Sequence, residues 1–300
     1  MQRINRLCPP ILLALSCSSP LWGQGQAGTD IYVAELAERD GRVSVGPLTN
    51  ATDRDGYDNQ PHFVPSGTSI LYTSGRPDGQ MDIHRYDILS KRSQSVTGTA
   101  ESEYSPTPMP GGETFSVIRV EADSSQRLWS FRMDGTNPQL VLEEIMPVGY
   151  HAWADSTTVA LFVLGSPATL QLASTRTGQG RVIERNIGRS IHKIPSEGAI
   201  SFVHKVSENE WWIRRLDLRT ERITPLVRTL PGSEDYAWTP RGTIIMGQNS
   251  ILYQWTPGTG DWLEIADLGA QGVQSITRIA VSPAGDRIAI VGSRGIGDRY

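Results

Sequence analysis

Acidic, basic, histidine and tyrosine side chains recur in six short stretches that each precede an apolar, turn-containing segment. The stretches read DNQP, EYSP, VGYH, GRSI, EDYA and ITRI. Glu103, His151, Asp235 and Arg278 have the side-chain types that could supply a general base, a general acid and an anion clamp. That chemistry requires the groups to lie within hydrogen-bond reach, so it depends on the elements that carry them.

The segment after each stretch follows one pattern. An apolar pair comes first, then a Pro or Asp, then usually a Gly, and finally a β-branched run. Its six anchor residues are Pro65, Pro110, Asp155, Pro195, Pro240 and Pro283. The anchors are 45, 45, 40, 45 and 43 residues apart. Each unit contains four short runs rich in Val, Ile, Thr and aromatics, without an apolar stripe at helical spacing. Four antiparallel strands at this period are typical of a β-propeller blade.

The two ends of the repeated region each contain half a unit. Residues 278–292 supply two inner strands, and the stretches DIYVAELAE and RVSVGPLTN near the N-terminus supply two outer strands. A sheet that is shared between the two ends closes a ring through hydrogen bonds instead of leaving exposed edges. We therefore predict an all-β fold, a six-bladed β-propeller closed by a blade shared between N- and C-terminal strands, with residues 28–300 as one domain.

The first complete unit resembles a known repeat. FVPSGTSILYTSGRPDGQMDIHRYD is similar to the repeat of TolB-type (WD40-like) propellers, and AVSPAGDRIAIVG is similar to its first half. The third unit departs from the pattern, because Asp155 replaces the proline and the turn glycine is absent. The resemblance covers residues 30–292. It implies a periplasmic, six-bladed, non-enzymatic binding protein, here without room for the α/β domain that precedes the propeller of TolB.

Residues 1–27 have the pattern of a secretory signal peptide. Arg3 and Arg6 precede an apolar stretch at 11–15 and then small and polar residues. Cleavage near residue 27 would release a periplasmic or secreted protein. Processing at Cys17, which follows the sequence ALS, would instead give a lipid-anchored one.

The composition of the remaining chain excludes several classes of function. Both cysteines lie in the leader, so the processed chain has no disulfide, thiolate nucleophile or cysteine metal site. Without its two arginines the 28 basic residues become 26 against 32 acidic residues, a net charge of −6 with His neutral. We expect no nucleic-acid partner, no transmembrane span and a monomer.

The polar stretches should converge on one rim, because the first strand of each blade lines the central channel. We predict that this funnel binds a protein segment or a small polar ligand of the cell envelope. The predicted binding residues are Asp58, Gln60, Glu103, Tyr104, Tyr150, His151, Arg189, Asp235, Tyr236 and Arg278, with Asn59 and Glu234 beside them. The alternative is that these residues serve the structure of the ring.

Catalytic and metal motifs are weak. There is no G-x-S-x-G sequence and no H-x-x-x-H spacing among the five histidines, although His62 and His192 lie near the expected channel. DRDGYDN places Asp53, Asp55 and Asp58 around Gly56, but lacks the glutamate and flanking helices of a calcium loop. We therefore predict a binding or scaffold protein without a cofactor. The alternatives are a hydrolase or lyase that uses the same funnel, and a structural module that contacts a partner through its outer strands.

Overall fold

The computed structural model describes residues 28–294. The predicted signal peptide and Cys17 lie outside the described residues. In chain order the strands are β1 (Thr29–Arg39), β2 (Arg42–Val45), β3 (Thr49–Asn50), β4 (Asp58–Phe63), β5 (Ser69–Gly75), β6 (Met81–Asp87), β7 (Arg92–Ser95), β8 (Ser102–Pro108), β9 (Thr114–Val120), β10 (Gln126–Arg132), β11 (Gln139–Leu140), β12 (Val148–Trp153), β13 (Thr158–Val163), β14 (Thr169–Ser174), β15 (Gly180–Arg185), β16 (Ile187–Lys193), β17 (Ala199–Ser207), β18 (Glu210–Asp217), β19 (Ile223–Arg228), β20 (Tyr236–Trp238), β21 (Ile244–Gln248), β22 (Ile251–Trp255), β23 (Leu263–Asp267), β24 (Val273–Val281) and β25 (Arg287–Arg294). A single 3₁₀ turn, Gly269–Gln271, precedes β24 within the described range.

The strands form six antiparallel sheets, and the predicted six-bladed propeller is confirmed. Blades 1 to 5 are β4–β7, β8–β11, β12–β15, β16–β19 and β20–β23, each in sequence order from the inner to the outer edge. Within residues 28–294, no helix has the length and apolar character needed to cross a membrane.

The sixth blade joins the two ends of the described chain. Its strand order is β24, β25, β1 and β2, and β3 also pairs with β1. The β1–β25 register places Asp30 opposite Gly292 and Glu35 opposite Arg287. The half unit at each end is therefore explained by ring closure, as predicted.

The hydrophobic core consists of six clusters, and each cluster lies between two consecutive blades. In β1, Ile31 and Val33 pack against blade 1. Tyr32 and Ala34 point the opposite way, against blade 5. This alternation with a period of two buries both faces of each sheet, and so fixes the register of its strands.

The irregular third blade keeps its first turn by a different interaction. The Asp155 carboxylate accepts hydrogen bonds from the backbone nitrogens of Thr157 and Thr158 at 2.8 and 2.9 Å. An aspartate that bonds to the following backbone supports a tight turn without proline or glycine. The departure from the repeat pattern therefore leaves the blade intact.

Candidate functional site in the central channel

A cavity of about 480 Å³ runs along the axis of the ring, and all six inner strands contribute to its wall. At the end where the inner strands begin, hereafter the mouth, its lining includes Gln60, Ser105, Tyr150, Arg189, Asp235 and Arg278. At the opposite end its lining includes Pro108, Lys193, Pro195, Pro240 and Pro283. The mouth is therefore charged, while the opposite end is formed mainly by proline.

β-Bulges direct side chains into the mouth. Register shifts interrupt the pairing of five inner strands, for example between Asn59 and His62 in β4 and between Tyr104 and Thr107 in β8. Gln60 has a φ of 56° at the first of these bulges. A bulge locally turns the strand and redirects a side chain, and each inner strand is a sheet edge where the missing N–H of a proline such as Pro61 is tolerated.

Four side chains form the mouth network, which we define as Tyr150, Arg189, Asp235 and Arg278. Arg278 Nη2 donates to the Tyr150 hydroxyl at 2.8 Å, and its Nη1 lies 2.9 Å from Asp235 Oδ1. Arg189 Nη2 donates to Asp235 Oδ2 at 2.5 Å. Tyr150 belongs to blade 3 and Arg278 to blade 6, on opposite sides of a six-membered ring. The Tyr150–Arg278 bond therefore crosses the channel.

The mouth network continues into a second set of ion pairs behind the channel wall. Glu234 accepts a hydrogen bond from the Arg189 backbone nitrogen at 3.1 Å and lies 3.1 Å from Lys205 Nζ. The connected groups are three cations, Arg189, Lys205 and Arg278, and two carboxylates, Glu234 and Asp235. Three positive and two negative charges leave this cluster with a net charge of +1.

Three histidines line the cavity below the mouth: His62, His151 and His192. Burial lowers the pKa of His151 to about 3 and that of His192 to about 4. His62 is exposed at its surface, yet burial by the surrounding protein lowers its pKa to about 4. All three rings are therefore neutral at pH 7, and the wall between the mouth and Lys193 at the far end is uncharged.

His151 also belongs to a buried contact between blades, hereafter the Ser116 junction. Its Nε2 lies 2.6 Å from the Ser116 hydroxyl, which also accepts a hydrogen bond from Trp153 Nε1 at 2.9 Å. Ser116 in turn donates to the Thr107 carbonyl at 3.2 Å. Because the serine proton is used there, His151 must donate from Nε2, which leaves its Nδ1 unprotonated. That buried Nδ1 has no hydrogen-bond partner.

Tyr236 occupies the equivalent place in a second contact, the Ser201 junction. Its hydroxyl donates to Ser201 Oγ at 2.8 Å, as does Trp238 Nε1 at 2.8 Å. The ring of His192 packs against Tyr236, with centroids 4.6 Å apart. His151 and Tyr236 therefore line the cavity, yet His151 Nε2 and the Tyr236 hydroxyl bind the preceding blade.

Two predicted binding residues, expected to be exposed, are instead fully buried away from the cavity. Asp58 accepts hydrogen bonds from Arg54 and from Ser74 Oγ, each at 2.7 Å. Glu103 accepts from the hydroxyls of Thr97 and Thr99. Both carboxylates have 0% exposure and do not contribute to the cavity wall. They lie before the bulges, where the inner strand points its side chains into the protein.

Glu103 is also paired with its neighbour in the sheet. Arg119 Nε lies 3.5 Å from its carboxylate. Burial raises the pKa of Glu103 to about 7, although hydrogen bonds from Thr99 and Thr97 and the charge of Arg119 oppose this increase. Because Glu103 lies outside the cavity wall, the structure does not assemble the set Glu103, His151, Asp235 and Arg278.

Two further predicted residues connect neighbouring blades. Gln60 Oε1 accepts hydrogen bonds from the Ser105 backbone nitrogen at 2.8 Å and from Thr73 Oγ1 at 2.9 Å, while the residue still lines the cavity. Tyr104 is half-buried and packs against the cluster between blades 2 and 3. Asn59, predicted beside them, is also buried.

The acidic loop before β4 is organised by a side chain of its own. Arg54 Nη2 donates to Asp58, to Ser74 Oγ and to the carbonyl of Gly75, all within 2.9 Å. Its Nη1 donates to the Asp55 carbonyl at 3.1 Å. The guanidinium group thus takes the place that a cation would need among these oxygens. Among residues 28–294, no group of three His, Cys, Asp or Glu side chains is arranged to hold a metal ion.

The predicted binding residues came from the loops before the inner strands, although His62 and His192 were already expected near the channel. The deeper wall also contains Thr107, which like these two histidines lies three residues before its anchor, and Lys193 near the far end; neither was predicted. The signal was present in the strand periodicity, since residues three and five positions before an anchor share one face of an extended strand.

Comparisons with known proteins identify the fold. No protein-family profile matches the sequence. An uncharacterized protein of Agrobacterium fabrum, Atu1656, is 26% identical over 108 residues, which is 34% of this chain and 36% of that protein. The match thus spans about a third of its relative's length.

Solved propellers match over most of the chain at low sequence identity. A protein of Agrobacterium tumefaciens assigned as a TolB superposes with a TM-score of 0.71 and 12% identity, covering 91% of this chain and all of the other. TolB from Acinetobacter baumannii gives 0.59 and 10% identity over 88% of this chain and 64% of the other. A chain of a nidogen/laminin complex gives 0.63 and 10% identity, covering 84% and 98%. These similarities confirm the predicted resemblance at the level of fold: the chain is a TolB-like six-bladed propeller.

Proposed function

We propose that this chain is a non-enzymatic binding protein that holds a protein segment or a small polar ligand at the mouth of its central channel. One observation carries the proposal: side chains from four blades form the mouth network directly over a cavity of about 480 Å³. Binding sites combine such a concave space with a few convergent polar groups. A central channel is common to propellers, so it is the convergence of charged side chains over the cavity that supports a binding role.

The cellular setting belongs to the same proposal. The pattern of residues 1–27 supports export, so residues 28–300 would act as a single domain in the periplasm or outside the cell. Processing at Cys17 would place the same domain on a membrane surface instead.

Blocking the channel tests the proposal. Ala280 lines the cavity beside the core between blades 6 and 1, so a folded Ala280→Trp variant narrows the cavity with an aromatic ring. Leu89→Trp adds the same side chain at a position that is 94% exposed on the outer surface. We expect the wild type and Leu89→Trp to retain the same partner or small molecule from an envelope extract, and Ala280→Trp to lose it. Equal retention by a folded Ala280→Trp variant would contradict a channel site.

A further inference from the structure

We infer that the mouth network recognises a single carboxylate group on an otherwise uncharged ligand. The inference deepens the proposed function and rests on it, because it specifies which chemical group the channel mouth holds. It follows from the charge balance of the network, from the partner of Arg278 and from the neutral channel below.

The charge balance favours one negative charge. Asp235 is shared by Arg189 and Arg278, and Glu234 is shared by Arg189 and Lys205. The side chains of Asp235 and Arg278 are only 12% and 16% exposed. An unbalanced cation in such a partly dehydrated place is stabilised by an anion that enters with it. A carboxylate supplies one charge, which matches the net +1 of the cluster.

Arg278 has one donor nitrogen, Nη2, that could form a hydrogen bond with a ligand in place of its present partner. Its Nη1 is held by Asp235 and by the Thr277 carbonyl, but its Nη2 donates to the neutral hydroxyl of Tyr150 at 2.8 Å. A charged acceptor makes a stronger hydrogen bond with guanidinium than a neutral hydroxyl does, so a carboxylate displaces or supplements Tyr150 there. The displaced phenol lies beside the incoming group and can donate to it.

The channel below the mouth determines the rest of the ligand. Its wall contains the three neutral histidines and the side chains of Thr107, Ile191 and Ala237. Between the mouth and Lys193 at the far end, a second charge on the ligand would lack an opposite partner and lose its hydration. The body that follows the carboxylate is therefore uncharged, as in the C-terminus of a neutral peptide or in a sugar acid.

The test compares acids with matched amides. The probes are a randomised library of N-acetyl tripeptides without charged side chains, prepared as free acids and as C-terminal amides, and read by native mass spectrometry. Glucuronate, titrated calorimetrically, represents the sugar source. We expect free acids or glucuronate to bind, and amides to bind at least about tenfold more weakly.

Variants of opposite charge separate recognition from structural support. Arg278→Gln keeps an amide donor but removes the charge, and we expect about a tenfold or larger loss of acid binding. Asp235→Asn raises the net charge of the cluster to +2, so it should strengthen acid binding several-fold. Arg92→Gln, at an exposed arginine on the outer strand β7, should leave binding unchanged.

Several outcomes would overturn the inference. Equal binding of acids and amides by the wild type would show that the channel binds these ligands without recognising their carboxylate group. Equal losses of acid binding in Arg278→Gln and Asp235→Asn would also contradict carboxylate recognition, because both residues would then only support the fold. If neither acid source binds, the inference fails, and the Ala280→Trp comparison decides the proposed function independently.

Discussion

The Ser116 and Ser201 junctions are the same device built from different side chains. In each, a fully buried serine on the second strand of one blade accepts a hydrogen bond from a tryptophan on the first strand of the next. The third partner is His151 in one junction and Tyr236 in the other. Both junctions join neighbouring blades, but only the histidine would gain a proton in mild acid once the chain unfolds. The comparison shows that the identity of a channel-lining residue can depend on its hydrogen bond to the neighbouring blade rather than on a ligand in the channel.

The largest expected effect comes from removing either serine hydroxyl. Ser116→Ala and Ser201→Ala each leave two buried donors without an acceptor, at a cost of roughly 1–3 kcal/mol per donor. We expect each variant to lose about 2–4 kcal/mol in the free energy of unfolding, measured by urea denaturation. Ser44→Ala, at an exposed strand position, should cost less than about 0.5 kcal/mol.

The more stringent part of this prediction is that the two serine variants lose similar amounts of unfolding free energy. If one serine variant were as stable as Ser44→Ala, its hydroxyl would not join the blades and the two junctions would not be equivalent.

The second prediction concerns acid, where the junctions should differ. Because burial lowers the pKa of His151 to about 3 in the folded protein, the unfolded chain binds one more proton once the pH falls below about 6.5. His151 therefore makes folding less stable as the pH falls through this window, by about 1.4 kcal/mol per pH unit. We expect His151→Gln, which keeps an N–H donor for Ser116, to remove that part of the slope between pH 6 and 4.

The matched variant in the other junction is Tyr236→Phe, which should leave the slope unchanged because the tyrosine does not ionise in acid. His62 and His192, also with lowered pKa values, retain their own contributions in both variants. Unfolding curves at several pH values give the slopes. Parallel curves for the wild type and His151→Gln would show that the histidine does not titrate as inferred.

The sequence was most informative where one pattern repeats. The spacing of the anchors predicted six blades, and the two half units predicted the shared sheet that pairs β1 with β25. The phrases HAW and YAW, each preceded in the blade before by a central strand serine in TFSVI or AISFV, also contained the two junctions. That signal could have shown that His151 and Tyr236 bind the preceding blade.

Exposure was harder to predict, because it depends on partners that are set by the tertiary structure. Asp58 is neutralised by Arg54 from the preceding loop, and Glu103 meets the hydroxyls of Thr97 and Thr99. The bulges at Gln60 in β4 and at Ser105 in β8 separate these inward-facing positions from channel-facing ones. A change of one residue in strand register reverses the face of a side chain, and the sequence does not mark the register shift.

The smallest loss of unfolding free energy should come from Tyr236→Phe. A double-mutant cycle with Ser201→Ala measures how much of that loss comes from the Tyr236–Ser201 hydrogen bond. Alone, the variant removes one hydrogen bond from Ser201, which keeps Trp238 and the His192 carbonyl as partners. We expect a loss of about 1 kcal/mol. In the Ser201→Ala background the same change removes a buried hydroxyl that already lacks its acceptor, so it should be neutral or slightly stabilising. Additive losses in the cycle would mean that Tyr236 stabilises the fold by ring packing alone, and the likeness between the two junctions would then be limited to their tryptophans.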